Sequence, residues 1–278
     1  MIDGLRLAFG TLSVLPVRRG RVGRKALGRA MTLAPLVGLT LGALAGGLAW
    51  LVDWLGGGAL LAAAIGVTTM AVLTRGLHLD GLADTADGLG SNQPPVETLT
   101  VMRSSDIGPF GVLTLMLVLL LQVAALTATW EAGLGVPALI VAVTTGRLAV
   151  TWGCRRGIPA ARPDGLGAVF AGSVAPAVVG TVTILVLALA VALALLGETP
   201  GVTLGAMPSG GTTGGATGGA IDLVAVTVPV VAVLAGLAAS LTVLRHVQRR
   251  VGGVTGDVLG ALVETATTVV LLVYALGS

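Results

Sequence analysis

Seven long apolar runs separated by short polar stretches dominate the chain. They fall near residues 31–52, 57–74, 110–130, 134–153, 174–196, 221–243 and 258–276. Each approaches the roughly 20 helical residues that cross the hydrocarbon core of a bilayer. Period-two alternation is missing, which excludes a transmembrane barrel. The pattern predicts an all-α, polytopic helical integral membrane protein with about seven transmembrane helices. Ahead of the first run, Leu5, Phe9 and Leu12 fall on one helical face, as in a helix lying on a membrane surface. Asp3 precedes these residues and an Arg cluster follows them, the reverse of signal-peptide order.

Composition agrees with this class. Hydrophobic residues make up 55% of the chain and charged residues only 10%, where a soluble domain carries roughly 25% charged residues. The charges are also sorted. With a cytoplasmic N-terminus, the inner segments hold Arg6, Arg18, Arg19, Arg21, Arg24, Lys25, Arg29, Arg75, Arg103, Arg155, Arg156, Arg162, Arg245, Arg249 and Arg250. Arg147 alone lies inside a span, and the outer segments carry only the acids Asp53, Glu131, Glu198 and Asp222. This is the positive-inside asymmetry expected of a multi-pass protein of the bacterial cytoplasmic (inner) membrane. The net charge of +3 thus reports orientation. No soluble basic face remains for nucleic acid.

Smaller features fit the same map. Trp50, Trp54, Trp130 and Trp152 sit at span ends and are expected to anchor in lipid. The single cysteine, Cys154, has no partner for an intramolecular disulfide or a Cys-based metal site. Residues 198–220, rich in Gly and Thr, read as a flexible external linker, and residues 1–30 as a basic interfacial N-terminus. Polar motifs on one side draw on segments before and after the linker, so residues 1–278 are read as a single membrane-embedded domain.

The chemistry is concentrated on that side. The stretch Arg75-Gly-Leu-His-Leu-Asp-Gly-Leu-Ala-Asp-Thr-Ala-Asp-Gly88 spaces Asp80, Asp84 and Asp87 by four and three, so a helix puts the three carboxylates on one face. Close carboxylates beside a bilayer repel one another and are costly to desolvate, and a hard cation such as Mg²⁺ relieves both. Capping and solvation at a membrane surface is the plainer reading. His78 stands two residues before Asp80. Downstream, Arg103, Ser104 and Ser105 lead into Ile107-Gly-Pro-Phe-Gly111 and can hydrogen-bond a phosphate. Arg155, Arg156 and Arg162 form a further cationic group, and Arg162-Pro-Asp-Gly is a turn that aims one Arg and one Asp. Finally, Gly252, Gly253 and Gly256 precede a helix whose N-terminal N–H groups can cradle phosphate. Asp257 opens that helix and Glu264 lies two turns deeper on the same face. Glu264 paired with Arg147 across the bundle is the structural alternative. Acids, Arg residues and Gly-rich turns together suit a metal-chelated diphosphate.

These residues resemble the cobalamin synthase family, the adenosylcobinamide-GDP ribazoletransferases. The resemblance runs through Leu15-Pro-Val, Pro35-Leu-Val-Gly, the acidic motif Gly76–Gly88, Ile107–Gly111, Ala161-Arg-Pro-Asp-Gly-Leu-Gly167 and Gly253-Val-Thr-Gly-Asp-Val-Leu-Gly-Ala261. It implies an integral membrane enzyme that uses Mg²⁺ as cofactor. The reaction implied joins adenosylcobinamide-GDP to α-ribazole or α-ribazole 5′-phosphate, with release of GMP. Carried onto this chain, Asp80, Asp84 and Asp87 become metal ligands and catalytic residues, and Asp257 a further metal ligand. His78 becomes a base or hydrogen-bond partner. Arg103, Ser105, Arg162, Gly253, Gly256, Asp257 and Glu264 become the substrate-binding set. The chain departs from the family pattern at Ser104-Ser105-Asp106, where a cation is expected at position 106, and Arg103 is the nearest replacement.

Two rivals are weaker. A CDP-alcohol phosphotransferase needs Ala-Arg where this chain has Ala83-Asp84. A transporter predicts acids spread through the bilayer midplane, whereas these gather at one side. The partners expected are the two substrates and the lipid bilayer. Association into a homo-oligomer or with pathway enzymes stays open.

Overall fold

The structure is a computed structural model that describes residues 2–17, 23–197 and 223–277. Arg18, Arg19, Arg21, Glu198, Asp222 and the Gly-rich linker lie outside the described residues. Among those described, the secondary structure is helical, with two isolated bridge pairs and no strand. The chain opens with α1 (Ile2–Leu12), α2 (Arg24–Thr32), α3 (Ala34–Val52) and α4 (Gly58–Leu73). It continues with α5 (Leu77–Gly90), α6 (Pro95–Val101), α7 (Pro109–Glu131) and α8 (Gly135–Gly153). It closes with α9 (Gly165–Phe170), α10 (Pro176–Gly197), α11 (Leu223–Val251) and α12 (Gly256–Gly277).

Six helical stretches are long and apolar enough to span a bilayer, against the seven expected. The difference lies in the first, Ala34–Leu73. Gly56 and Gly58 adopt φ of 90° and 75°, a conformation that costs glycine nothing. The chain breaks there into α3 and α4, which pack on one another with Gly66 beside Ala49. One continuous stretch thus contains two of the expected runs. α11 corrects a boundary, since it runs to Val251 instead of ending near 243 and carries Arg245, Arg249 and Arg250 on its last turns.

Packing explains which helices are central. α8 is inside the bundle, with 89% of its apolar window buried, and α12 follows with 72%. Glycines allow this closeness, as small residues do between membrane helices. A Cβ on Gly38 of α3 would lie 2.7 Å from the Val143 carbonyl oxygen of α8, and one on Gly146 of α8 would lie 3.0 Å from the Val263 carbonyl oxygen of α12. α7 and α10 turn most of their surface outward, with Leu113, Leu120, Ile184 and Leu185 exposed. That is the expected finish for lipid contact.

The tryptophans divide. Trp50 and Trp54 are exposed as a membrane anchor requires. Trp130 is buried in the core, and half-buried Trp152 donates its indole N–H to Thr183 Oγ1 at 3.1 Å while Arg155 lies over its ring. Trp130 therefore serves packing, while Trp152 both packs on α10 and keeps part of its surface exposed. Cys154 is free and buried, and burial pushes its thiol up to about 12, so it is inert as expected.

Candidate active site

α5 is too short to span and follows a turn at Arg75 and Gly76, both with positive φ. It lies against α12 and α7. Two glycines set its approach to α12. A Cβ on Gly81 would fall 2.6 Å from the Asp257 carbonyl oxygen, and one on Gly260 would fall 3.0 Å from the His78 carbonyl oxygen. The helices therefore cross backbone to backbone, and the first turn of α12 meets the acidic face of α5. This brings Asp257 to Asp84, 173 residues away in sequence.

The carboxylates on that face have different surroundings. Asp80 is exposed, Asp84 half-buried and Asp87 buried. The Asp84 carboxyl is pushed up to about 7, first by burial and then by the negative charges of Asp80, Asp257 and Asp87, with Arg162 opposing. Asp257 Oδ2 accepts from Arg162 Nη2 at 3.0 Å and from Thr255 Oγ1 at 3.0 Å. Thr255 Oγ1 in turn accepts from the Val258 N–H at 3.2 Å, capping α12. Arg162 Nη1 reaches the Leu99 carbonyl at 3.5 Å.

Asp87 is engaged differently. Its Oδ2 accepts from the Gly108 N–H at 2.7 Å and its Oδ1 from the Gly111 N–H at 2.9 Å, so both oxygens are committed to the start of α7. Gly108 and Gly111 leave no room for a Cβ beside the carboxylate. Among the described residues, no three His, Cys, Asp or Glu side chains are close enough to form a preassembled metal cage. Mg²⁺ does not need one, because it commonly takes one or two carboxylates and fills its octahedron with water and substrate phosphate oxygens. One or two of Asp80, Asp84 and Asp257 fit that requirement, and the raised Asp84 carboxyl reflects its burial first and the neighbouring acids second.

The remaining expected residues are dispersed. His78 points away from the acidic face into a cavity of about 30 Å³ shared with Met31, Val150 and Phe170. Neither ring nitrogen has a partner, and burial, assisted by Arg147, holds its pKa well below the usual value. Arg103 is exposed and pairs with Asp164, while Ser105 is exposed. Arg162 and Asp164 thus reach different partners despite sharing one turn. Gly253 is pressed on the backbone of Pro159 and Ala160, beside the Ala160–Val254 bridge. The N–H groups of Gly252 and Val254 already serve Gln248 and Pro159, and Gly256 adjoins Leu166. Glu264 lies deeper, where its Oε2 accepts from Gln122 Nε2 at 2.9 Å. It shares a cavity of about 20 Å³ with Arg147, but the two form no ion pair among the described residues.

Sequence reasoning places Thr255 at a helix start and Asp164 on an aimed turn, but misses the Thr255 cap, the Asp164 partner and the Gly81–Gly260 crossing. Thr255 was legible as a capping residue three positions before Val258. The other two depend on tertiary contacts that no local spacing reveals.

Six apolar helical stretches define a polytopic helical membrane protein, in which acidic side chains of α5 and α12 are brought together at the start of α12. The family model for cobalamin-5-phosphate synthase matches residues 4–275, and the chain belongs to that family. A relative from Frankia casuarinae, named adenosylcobinamide-GDP ribazoletransferase, is 41% identical over 98% of this chain and 94% of its own length. Relatives of the same name from a Nocardioides species and from Syntrophobacter fumaroxidans are 41% and 40% identical, over 67% and 62% of this chain and 85% and 69% of their own. No solved structure matches the chain.

Proposed function

We propose that this protein is an adenosylcobinamide-GDP ribazoletransferase that acts late in cobalamin biosynthesis. It transfers the corrinoid phosphate from adenosylcobinamide-GDP to a free ribose hydroxyl of α-ribazole, or of α-ribazole 5′-phosphate whose 5′ oxygen is already esterified. The hydroxyl loses its proton, the diphosphate P–O bond breaks, and GMP leaves. The observation that carries this reading is the match to the Frankia relative, 41% identical over 98% of this chain.

Mg²⁺ is the proposed cofactor. When bound, it supplies positive charge against a diphosphate and its leaving group. One or two of Asp80, Asp84 and Asp257 would hold it, with water and substrate phosphate oxygens completing the set. Asp87 fixes the Gly108–Gly111 segment against α5 through its two backbone hydrogen bonds, and so serves as a positioning residue. Arg162, half-buried and already oriented by Asp257 and Leu99, presents a guanidinium to a phosphate at the edge of the carboxylate face. Arg103 can join it on release from Asp164. The fold's contribution is mainly placement, since phosphoryl transfer gains most from positioning and charge neutralisation. The basic charge asymmetry supports a cytoplasmic N-terminus, a cytoplasmic-membrane location and a site on the cytoplasmic side.

The test uses purified full-length protein in liposomes with adenosylcobinamide-GDP, α-ribazole and Mg²⁺, followed by chromatography. Equal yields of GMP and cobalamin, lost on chelation and restored by Mg²⁺, are expected. Folded protein that makes neither product would overturn the activity, and turnover that survives chelation would overturn the metal.

A further inference from the structure

A second charged site lies outside the carboxylate face. Between α2 and the turn that leads into α10 is an open cleft of about 560 Å³. Lys25 and Arg29 line it from α2, and Arg156 lines it from the other wall. All three are exposed. The only ion pairs among the described residues are Arg103–Asp164 and Arg162–Asp257, so no carboxylate neutralises these cations. No acidic side chain lines the cleft. Three like charges facing one space repel one another unless an anion is between them.

The walls are fixed, and one of them offers an unused hydroxyl. Gly28 of α2 is pressed against the opposite backbone, where a Cβ would fall 2.6 Å from the Ser173 carbonyl oxygen. The Arg156 N–H is tied to the Val174 carbonyl at 2.8 Å, and the Val174 N–H to the Cys154 carbonyl at 3.0 Å. Ser173 lines the cleft, and its hydroxyl is buried just behind the wall with no hydrogen-bond partner. Rotation of that side chain toward the cleft would bring it to a bound phosphate oxygen.

The lower rim identifies the kind of anion. Ala175 and Val178 line the cleft, and α10 continues from them without a charged residue across Pro176–Gly197. Farther along α10, Ile184 and Leu185 are 67% and 63% exposed. A ligand seated here meets cations and a hydroxyl at one end and an uncovered apolar helix at the other. A free inorganic or nucleotide phosphate uses only the first part.

We propose that the cleft between α2 and the Gly172–Ala175 turn binds the phosphate headgroup of an acidic phospholipid, whose acyl chains lie along the outward face of α10. The site shares no residue with the carboxylate face and does not depend on the transferase reading.

The experiment takes full-length protein in a zwitterionic detergent. It titrates dioctanoyl phosphatidylglycerol, dioctanoyl phosphatidylcholine and inorganic phosphate separately, reading bound lipid by native mass spectrometry and the thermal midpoint in parallel. Saturable binding of phosphatidylglycerol is expected, with phosphatidylcholine at least tenfold weaker. The triple variant Lys25→Gln/Arg29→Gln/Arg156→Gln should weaken phosphatidylglycerol on the order of 100-fold, at about a kcal/mol per interfacial cation. Arg156→Gln and Ser173→Ala should each weaken it less, and they serve if the triple variant does not fold. Equal binding of the two lipids overturns the proposal, as does unchanged affinity in the folded variants. Inorganic phosphate that binds as tightly as phosphatidylglycerol and displaces it also overturns it, because the apolar rim then contributes nothing.

Discussion

Replacing Asp84 by Asn should make the protein more stable while disabling it. In the folded protein the Asp84 carboxyl is pushed up to about 7 from 3.8, by burial first and then by Asp80, Asp257 and Asp87. An unfolded chain ionises the same group near 3.8. Ionisation therefore opposes folding progressively as pH rises from about 4 to about 7, and the penalty is level above that. Taken in full, the difference between the two values corresponds to ~4 kcal/mol. Asp84 is only half-buried, and solvent screening reduces this to roughly 1–2 kcal/mol. Asn has nearly the same shape and no charge. At pH 8 without divalent cation, Asp84→Asn should raise the thermal midpoint by about 3–6 °C. The gain should shrink to about a third at pH 5 and vanish near pH 4. Mg²⁺ should raise the wild-type midpoint at pH 8, since it neutralises the same repulsion, and should move the variant much less. Turnover should fall by on the order of 100-fold or more. Intrinsic fluorescence scans in detergent at the three pH values, with Mg²⁺ and with chelator, measure all of this except turnover. An Asn variant no more stable than wild type at pH 8 would refute the electrostatic argument. Equal Mg²⁺ shifts in both proteins would refute Asp84 as part of the metal site.

Asp87 should behave in the opposite sense. Asp87→Ala strips the Gly108 and Gly111 amides of their acceptor and should lower the thermal midpoint by an amount equivalent to about 1–3 kcal/mol. Asp87→Asn, which keeps one acceptor oxygen, should lose less, and a Mg²⁺-induced shift retained by the folded Asn variant would confirm that Asp87 positions α7 and does not ligate. Gly81→Ala puts a methyl against the Asp257 carbonyl. It should cost about 1–3 kcal/mol of stability by overpacking and reduce turnover as α5 and α12 separate, which purification yield, thermal scans and GMP release can follow. Arg103→Ala breaks an exposed pair with Asp164 and should change stability by less than about 1 kcal/mol. A raised KM for the corrinoid diphosphate with an unchanged midpoint would place Arg103 on the substrate.

Local periodicity served the elements well and their contacts less well. The helical spacing of Asp80, Asp84 and Asp87 is real, and α5 forms where it was expected. Spacing alone treats the three as equivalent. The difference between Asp84, perturbed by burial and then by neighbouring acids, and Asp87, satisfied by amides 21 and 24 residues onward, exists only after α12 and α7 pack on α5. Asp257 was recognisable from its motif, but its contact with α5 depends on Gly81 and Gly260, whose missing side chains leave no mark in a hydropathy profile. Arg147 and Glu264, the structural alternative, share a cavity but form no direct ion pair among the described residues. Two opposite charges within spans invite pairing, yet Gln122 on α7 reaches Glu264. The apolar runs 31–52 and 57–74 read as separate spans, and the chain does break between α3 and α4, at Gly56 and Gly58.

A single architectural feature accounts for both the strain and its tolerance. Carboxylates crowded beside a membrane bundle would ordinarily separate, since each gains by moving into water. Here the movement is blocked, because Gly81 and Gly260 bring the α5 and α12 backbones into contact, and displacing one helix would break an interface on the most buried side of the bundle. Asp87 adds a second tie to α7, and Arg162 with Thr255 holds Asp257 in place. The stability spent on ionising Asp84 is thus recovered elsewhere, in apolar packing that the reaction does not use. If the proposed Mg²⁺ arrives with a diphosphate, it would meet Asp84 and Asp257 on helices already fixed against one another, and folding would have completed that reorganisation.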